Sequence, residues 1–369
     1  MMRTVRRLLY RDIVSSVLFV ALAFLSLFFF IDFVDELPDV GKRGYTLGHA
    51  LLATALTLPG HFYELFPIAV LIGTIYSLSR LAQSSEFTIL RTGGLGPGRA
   101  LSLLALLGLI FATVTFVVGD FVVPLSERQS VAVRSNFLGG RDLGRTGAWL
   151  KDRRHGAQGE RNISVNVMRV APSGELEGIR IFVLNGEGQL VERVSARSAL
   201  VAKNGRWRLA DAQVTRWPDE STDAPVSNER FDKLDWETTL NASVVAAAVL
   251  PVSTMTTVEL ARYATHLSDQ EQAATRHAIQ FWKKALYPFA CLVMVALALP
   301  FAYLHARAGG VSLKVFGGIM LGIGFVLLNN LAGHLGLLRD WTPWITAAAP
   351  SALFLLLSLA AFAWLVRYR

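Results

Sequence analysis

Two acidic residues within long apolar runs are the first candidates for chemistry. Asp32 follows Phe30 and Ile31, and Glu64 lies three residues after His61. A carboxylate inside a membrane span is costly and by default marks a functional site, although its cost falls near the interface. These two acids could titrate during ion-coupled transport, contact a substrate headgroup, or simply be hydrated at the membrane surface.

Basic residues at the ends of the apolar runs form the second candidate set. Four of them are candidate ligands for an anionic lipid: Lys42, Arg43, Arg128 and Arg134. Their side chains can make charge-assisted hydrogen bonds to phosphate. For any single member, the alternative is ordinary contact with lipid headgroups and a contribution to solubility.

The polar segment 79–99 separates two apolar runs, and it predicts a short helix over about residues 84–93. Ser84 and Ser85 can cap this helix, and Glu86 lies in its first turn. Apolar side chains on so short a polar helix need burial, either against a soluble partner or against the protein's own spans. The segment has three of them: Phe87, Ile89 and Leu90.

The sequence contains no enzymatic motif. It has no G-x-x-x-x-G-K-[ST] phosphate loop, no G-x-S-x-G, no H-E-x-x-H and no C-x-x-C. The single cysteine, Cys291, cannot form an intrachain disulfide, and no residues have metal-ligand spacing. We therefore expect a protein that is not an enzyme and binds no cofactor itself, so that another subunit must supply the energy for uphill work.

The elements that position these residues are membrane spans. Of the 369 residues, 53% are hydrophobic, and the mean hydropathy is +0.42. Six segments are long and apolar enough to span a bilayer, roughly 13–33, 50–79, 100–124, 285–304, 312–335 and 344–366. The basic residues concentrate at one set of span ends, which predicts that both termini are cytoplasmic. This clustering at span ends also argues against nucleic-acid binding, despite the net charge of +8.

An all-β domain is predicted between the third and fourth spans, on the side opposite to the termini. Residues 162–167 alternate polar and apolar side chains, residues 179–184 indicate a second strand, and Asn204-Gly205 predicts a hairpin. Farther along, Ser268 and Glu271 match a capping box and predict a helix that begins at Ser268 and runs into the fourth span. The predicted domains are residues 1–127, 128–267 and 268–369.

Short motifs in a fixed order then give the chain a family resemblance. They are Phe33-Val34-Asp35-Glu36-Leu37, Phe66-Pro67, Leu81-Ala82-Gln83-Ser84-Ser85-Glu86 and Trp149-Leu150-Lys151. Together with the order of three spans, β domain and three spans, they resemble the YjgP/YjgQ (LptF/LptG) family of lipopolysaccharide export permeases over essentially the whole chain. The resemblance implies a bacterial inner-membrane protein whose periplasmic domain is a β-jellyroll.

The resemblance also implies partners. The chain would pair with an LptF-like permease on a dimer of a cytoplasmic LptB-like ATPase, which would bind the ATP and Mg. A single-span LptC-like subunit and a periplasmic LptA-like bridge would complete the export path. Lipopolysaccharide would be taken laterally from the outer leaflet, between the first and fifth spans.

Coupling residues follow from the same resemblance. The helix at 84–93 would couple the permease to the ATPase through Ser85, Glu86, Phe87, Ile89, Leu90 and Arg91. The expected substrate contacts come instead from the residues themselves: the basic residues Lys42, Arg43, Arg128 and Arg134 at the span ends, and the acids Asp32 and Glu64 within apolar runs. Family members carry a basic residue at the position of Asp32, so the charge there is reversed in this chain.

Two other classes of function remain open from the residues alone. One is an ion-coupled lipid transporter that works without an ATPase and uses Asp32 and Glu64 as a titrating pair. The other is a non-transporting scaffold for envelope assembly, anchored by its spans and recruiting partners through the β domain. Transport by the isolated chain would favour the first, and absence of a stoichiometric ATPase subunit would favour the second.

Overall fold

The described residues of this computed structural model form long apolar helices and one antiparallel sheet. The structure describes residues 2–84, 86, 96–138, 141–142, 147–156, 159–171, 175–201, 206–218, 225–238, 240, 245, 254–269, 275–303 and 310–367. Among these residues, six helical stretches have the length and hydropathy of membrane spans. The predicted fold class, a membrane helical protein with an inserted all-β domain, is therefore confirmed.

Two of the six spans are built from more than one helix. The helices are α1 (Met2–Glu36), α2 (Leu47–Gln83), α3 (Pro97–Val117), α4 (Val123–Leu138), α5 (Thr257–Asp269), α6 (Thr275–Leu286), α7 (Ala290–Tyr303), α8 (Val311–Leu338) and α9 (Pro343–Arg367). A π-helical turn, Val118–Val122, joins α3 to α4 in the third span. A 3-10 turn, Tyr287–Phe289, joins α6 to α7 in the fourth.

Glycines allow the spans to approach one another closely. A Cβ atom on Gly73 of α2 would lie 2.6 Å from the backbone N and Cα of Val17 in α1, so a side chain there would force the two helices apart. In α8, Cβ atoms on Gly318 and Gly322 would lie 2.6 and 2.9 Å from the side chains of Ile75 and Ile68 in α2. Because the α2 partners fall in number as the α8 positions rise, these two helices run antiparallel.

The sheet is a meander in which most strands pair with the next strand along the chain. Its strands are β1 (Arg141–Asp142), β2 (Ala148–Gly156), β3 (Gly159–Val170), β4 (Leu176–Leu184), β5 (Leu190–Val201), β6 (Arg206–Arg216) and β7 (Ser227–Glu237). All pairings are antiparallel, and β1 and β2 both pair with β3. The predicted strands at 162–167 and 179–184 lie in β3 and β4. Asn204-Gly205 lies outside the described residues, and the strands on either side of it, β5 and β6, pair antiparallel as a hairpin there predicts.

One line across the sheet interrupts the alternation of buried and exposed side chains. A rung is a row of paired side chains that crosses the sheet from strand to strand. In every strand from β3 to β7, two successive core-facing rungs are three residues apart, where regular alternation would give two. The rungs are Val167, Ile179, Ala196, Ala212 and Phe231, then Val170, Leu176, Ala199, Leu209 and Leu234. Gly178 and Asp211 lie on this line with φ values of 65° and 49°, the local distortion that keeps both rungs on the core face.

Packing divides the chain into two units. One consists of Met1–Asp35, Thr54–Ser126 and Thr275–Arg369, and its core includes the buried side chains of Ile13 and Met294. The other consists of Glu36–Ala53 and Glu127–Ala274, and its core includes the fully buried Trp207. The connection between α1 and α2 thus belongs to the same unit as the sheet.

The helix predicted to begin at Ser268 is wrong. Ser268 lies in the last turn of α5, which begins at Thr257, and α6 is described from Thr275. The capping box is found at the other end of α5. There the Thr256 backbone N–H donates to Glu259 Oε2 at 2.9 Å, and the Glu259 N–H donates to Thr256 Oγ1 at 3.2 Å.

Candidate functional site

The connection between α1 and α2 presents two of the predicted basic residues at its tip. The Gly41 N–H donates to the Tyr45 carbonyl at 2.7 Å, and the Tyr45 N–H donates to the Lys42 carbonyl at 2.8 Å. The tight turn requires left-handed backbone at Gly41 (φ 92°), Arg43 (φ 48°) and Gly44 (φ 82°). Both basic side chains are consequently exposed. Lys42 Nζ lies 2.6 Å from Asp39 Oδ1, and an Arg43 guanidinium nitrogen donates to the Leu138 carbonyl at 3.2 Å.

The buried carboxylate of Glu36 helps to hold this turn in place. Tyr45 is fully buried and donates its hydroxyl to Glu36 Oε2 at 2.9 Å, while the other Glu36 oxygen lies 2.6 Å from an Arg134 guanidinium nitrogen. Burial, and then the hydrogen bond to Glu36, raise the pKa of Tyr45 to about 12. The predicted ligand Arg134 therefore already has a carboxylate partner within the protein.

Arg128 is paired in a similar way. Its Nε donates to the Thr254 carbonyl at 2.9 Å, and a terminal nitrogen lies 2.6 Å from Glu259 Oε2. Although burial acts to raise the pKa of Glu259, the hydrogen bonds from Thr256 and Arg128 outweigh it and lower that pKa below its ordinary value. Arg128 thus joins α4 to the start of α5 within one unit.

Asp32 contacts two side chains of α2, those of Thr57 and His61. Its Oδ2 accepts a hydrogen bond from Thr57 Oγ1 at 2.9 Å and lies 2.7 Å from His61 Nε2. The Asp32 and His61 side chains are 23% and 24% exposed, and the Phe28 ring stands 4.9 Å from the imidazole. One Asp32 oxygen is therefore already engaged by two side chains of α2, and the imidazole beside it is half-buried.

A second polar cluster lies near the other end of the same helix pair. Asp12 of α1 contacts Arg80 and Ser77 of α2. Asp12 and Asp32 are 32 − 12 = 20 residues apart in α1, which is about 30 Å along a helix. This is about the thickness of a bilayer's hydrocarbon core. The two clusters thus hold α1 against α2 at two levels that are about one hydrocarbon thickness apart.

The sequence did not predict that Asp32 pairs with α2, or that Asp12 does so. It also did not single out Asp120. That carboxylate is buried in the π-helical turn of the third span, at a position where the sequence shows Gly119-Asp120 in the middle of an apolar run. An acid in such a run is a visible signal. Glu64, by contrast, has an exposed side chain, and its backbone carbonyl accepts a hydrogen bond from the Tyr287 hydroxyl. Among the described contacts, none joins Asp32 to Glu64.

The predicted coupling segment, residues 84–93, is described at two residues, Ser84 and Glu86. Glu86 is helical and exposed. The other predicted coupling residues lie outside the described residues: Ser85, Phe87, Ile89, Leu90 and Arg91. The contacts expected of them stay a prediction.

Three spans, an inserted antiparallel sheet and three further spans define a multi-pass membrane protein with an extramembrane β domain. Among the described residues, the basic turn between its first two spans and Glu86 after the second span are exposed. Residues 7–366 match the family described as "Lipopolysaccharide export system permease LptF/LptG", and the chain belongs to that family.

Two curated relatives are similar over almost their whole length. The chain is 27% identical over 356 residues to the lipopolysaccharide export system permease protein LptG of Escherichia coli K12, covering 96% of both chains. It is 26% identical over 366 residues to the protein of that name from Haemophilus influenzae, covering 97% of both chains. The family resemblance drawn from the motifs is thereby confirmed.

Proposed function

We propose that this chain is a permease subunit that extracts lipopolysaccharide from the outer leaflet of the inner membrane and passes it to a periplasmic bridge. One observation carries the proposal. The family match runs from residue 7 to residue 366, so it includes both the helical unit and the unit that contains the sheet. Extraction of the lipid needs the helical unit, and its transfer away from the membrane needs the unit that contains the sheet.

In this proposal, Lys42 and Arg43 are the contacts to the phosphates of the lipid. Both are exposed at the tip of a turn whose backbone is fixed by hydrogen bonds, and their contacts to Asp39 and to the Leu138 carbonyl are exposed as well. A phosphate can therefore reach both cations, whereas the carboxylate partner of Arg134 is buried. Arg128 and Arg134 hold buried or half-buried carboxylates, which makes them positioning residues. Asp32 acts through His61, and Glu64 contributes an exposed side chain of α2.

The energy comes from a partner ATPase dimer, which binds the ATP and Mg. The segment at 84–93 is the coupling helix, and Glu86 is its contact to a basic groove of the ATPase. The exposed, helical state of Glu86 in the middle of a link between two spans supports this role. Both termini and this helix face the cytoplasm, and the sheet faces the periplasm, as the distribution of basic residues favours.

Reversing the charge of Glu86 tests the proposal. In a reconstituted complex with the ATPase and partner permease, Glu86→Lys should lower lipopolysaccharide-stimulated ATP hydrolysis toward the unstimulated rate, because a like charge then meets the groove. The control is Glu187→Lys, the same reversal at an exposed turn of the sheet. Equal activity in the two variants, with both complexes intact, would contradict the coupling role.

A further inference from the structure

Lys314 is a buried cation with no hydrogen-bond partner among the described residues. It lies in the first turn of α8, it is 4% exposed, and its Nζ is buried without a partner. An ammonium removed from water without a counter-ion is costly, and such groups inside membrane spans mark binding sites by default.

The packing of α8 shows what Lys314 faces. Lys314, Gly318 and Gly322 recur every four residues and so share one face of the helix. Gly318 and Gly322 meet Ile75 and Ile68 of the antiparallel α2. Extending this seam by one turn places Ser79, four residues after Ile75, opposite Lys314.

Ser79 is itself unusual. It is fully buried, and its hydroxyl oxygen has no hydrogen-bond partner among the described residues. The N-cap of α8 is Gly310, which has no side chain to cap the first-turn amides, so these amides and the positive end of the helix dipole lie within one helical turn of Lys314. An ammonium, a hydroxyl and helix N-terminal amides together form a donor set that suits phosphate.

We propose that the end of the α2–α8 seam, at Lys314 and Ser79, binds the phosphate of an anionic phospholipid of the cytoplasmic leaflet. The proposal rests on the orientation given under the proposed function, which puts the start of α8 at the level of the cytoplasmic headgroups. Basic pockets between spans on that side are where anionic headgroups bind. The site is separate from the basic turn at Lys42 and Arg43 in sequence, in unit and in the donors that it uses.

The site is tested by thermal melting of the full chain, purified within its intact complex. The probes are phosphatidylglycerol, phosphatidylcholine and inorganic phosphate. Phosphatidylglycerol should raise the melting temperature of the unaltered protein by a few degrees, as expected for a ligand well above its dissociation constant. Lys314→Met should abolish this shift and Lys314→Arg should keep it.

Lys283→Met is the matched control. Lys283 is a half-buried lysine of a different span, and its Nζ already donates to the Asn329 carbonyl at 2.9 Å, so the phosphatidylglycerol shift should survive its loss. If Lys314→Met fails to fold, Ser79→Ala provides the same test, with a reduced shift expected. A full shift in Lys314→Met or in Ser79→Ala, or an equal shift with phosphatidylcholine, would overturn the site.

A shift produced equally by inorganic phosphate would keep the site but overturn the lipid as its source. The assay contains neither lipopolysaccharide nor ATP. Its failure would therefore leave the transport proposal standing, and failure of the Glu86 experiment would leave the phosphate site standing.

Discussion

Replacing Arg134 by methionine should destabilise the protein through Glu36, whether or not substrate is present. Glu36 is 8% exposed and holds Arg134 at 2.6 Å and Tyr45 at 2.9 Å. Removing one partner of a buried ion pair costs about 3–5 kcal/mol. The Arg134 side chain is 41% exposed, so solvent screens part of the pair, and Tyr45 still bonds Glu36. We therefore expect a loss of about 2 kcal/mol, or about 4–8 °C in melting temperature.

A double-mutant cycle separates this structural role from a substrate contact. The variants are Arg134→Met, Glu36→Gln and the two combined, each measured by thermal melting and by photo-crosslinking of lipopolysaccharide to residue 42. The combined loss should be smaller than the sum of the single losses by at least about 1 kcal/mol, because both changes remove the same pair. Glu36→Gln should lower crosslinking as Arg134→Met does, since either change loosens the turn that carries Lys42.

Two results would refute this reasoning. Additive losses of stability would mean that the 2.6 Å contact contributes nothing measurable. Crosslinking that is lost in Arg134→Met but unchanged in Glu36→Gln would mean that Arg134 meets the lipid directly, as the sequence comparison with the family had suggested.

Two further predictions concern packing and pH. Gly73→Ala should lower the melting temperature by several degrees, because its Cβ would lie 2.6 Å from the Val17 backbone, whereas Gly317→Ala, with open space around it, should be neutral. Equal effects of the two alanines would show that α1 and α2 can separate freely. Since the pKa of Glu259 is lowered in the folded state, its ionised form adds stability above the ordinary carboxyl pKa of 4.5, and this is lost as the pH falls through the lowered value. The melting difference between the unaltered protein and Glu259→Gln should therefore be largest near neutral pH and shrink below about pH 4.5, while Glu187→Gln should show no such trend.

The spans and strands could be predicted from the sequence because each depends on a local pattern. The apolar run before Asp32 is long enough for a bilayer whatever it packs against, and the alternation in 162–167 fixes one strand face without knowledge of its neighbours. The shifted rungs of the sheet were beyond that reasoning. Gly178 hints at a distortion, but Asp211 gives no local sign that it takes a positive φ.

The partners of the charged residues could not be predicted, for a physical reason. Asp32 meets His61 because α1 and α2 are antiparallel and closely packed at Gly73, and neither fact is present in the sequence around Asp32. An isolated acid and an isolated histidine each have several satisfactory environments. For the same reason the sequence predicted Arg134 as a lipid ligand, whereas the fold places it against Glu36.

The two capping-box patterns show how a local rule can be correct and still select the wrong place. Thr256 with Glu259 and Ser268 with Glu271 have the same spacing. A capping pattern starts a helix only where the following residues also bury an apolar face. After Thr256 the buried Leu260 supplies that face, and Arg128 adds a second partner for Glu259. Contacts from a distant helix thus strengthen one of two equivalent signals. For this reason we expect Arg128→Met to loosen the start of α5, whereas loss of a mere surface cation would leave it unchanged.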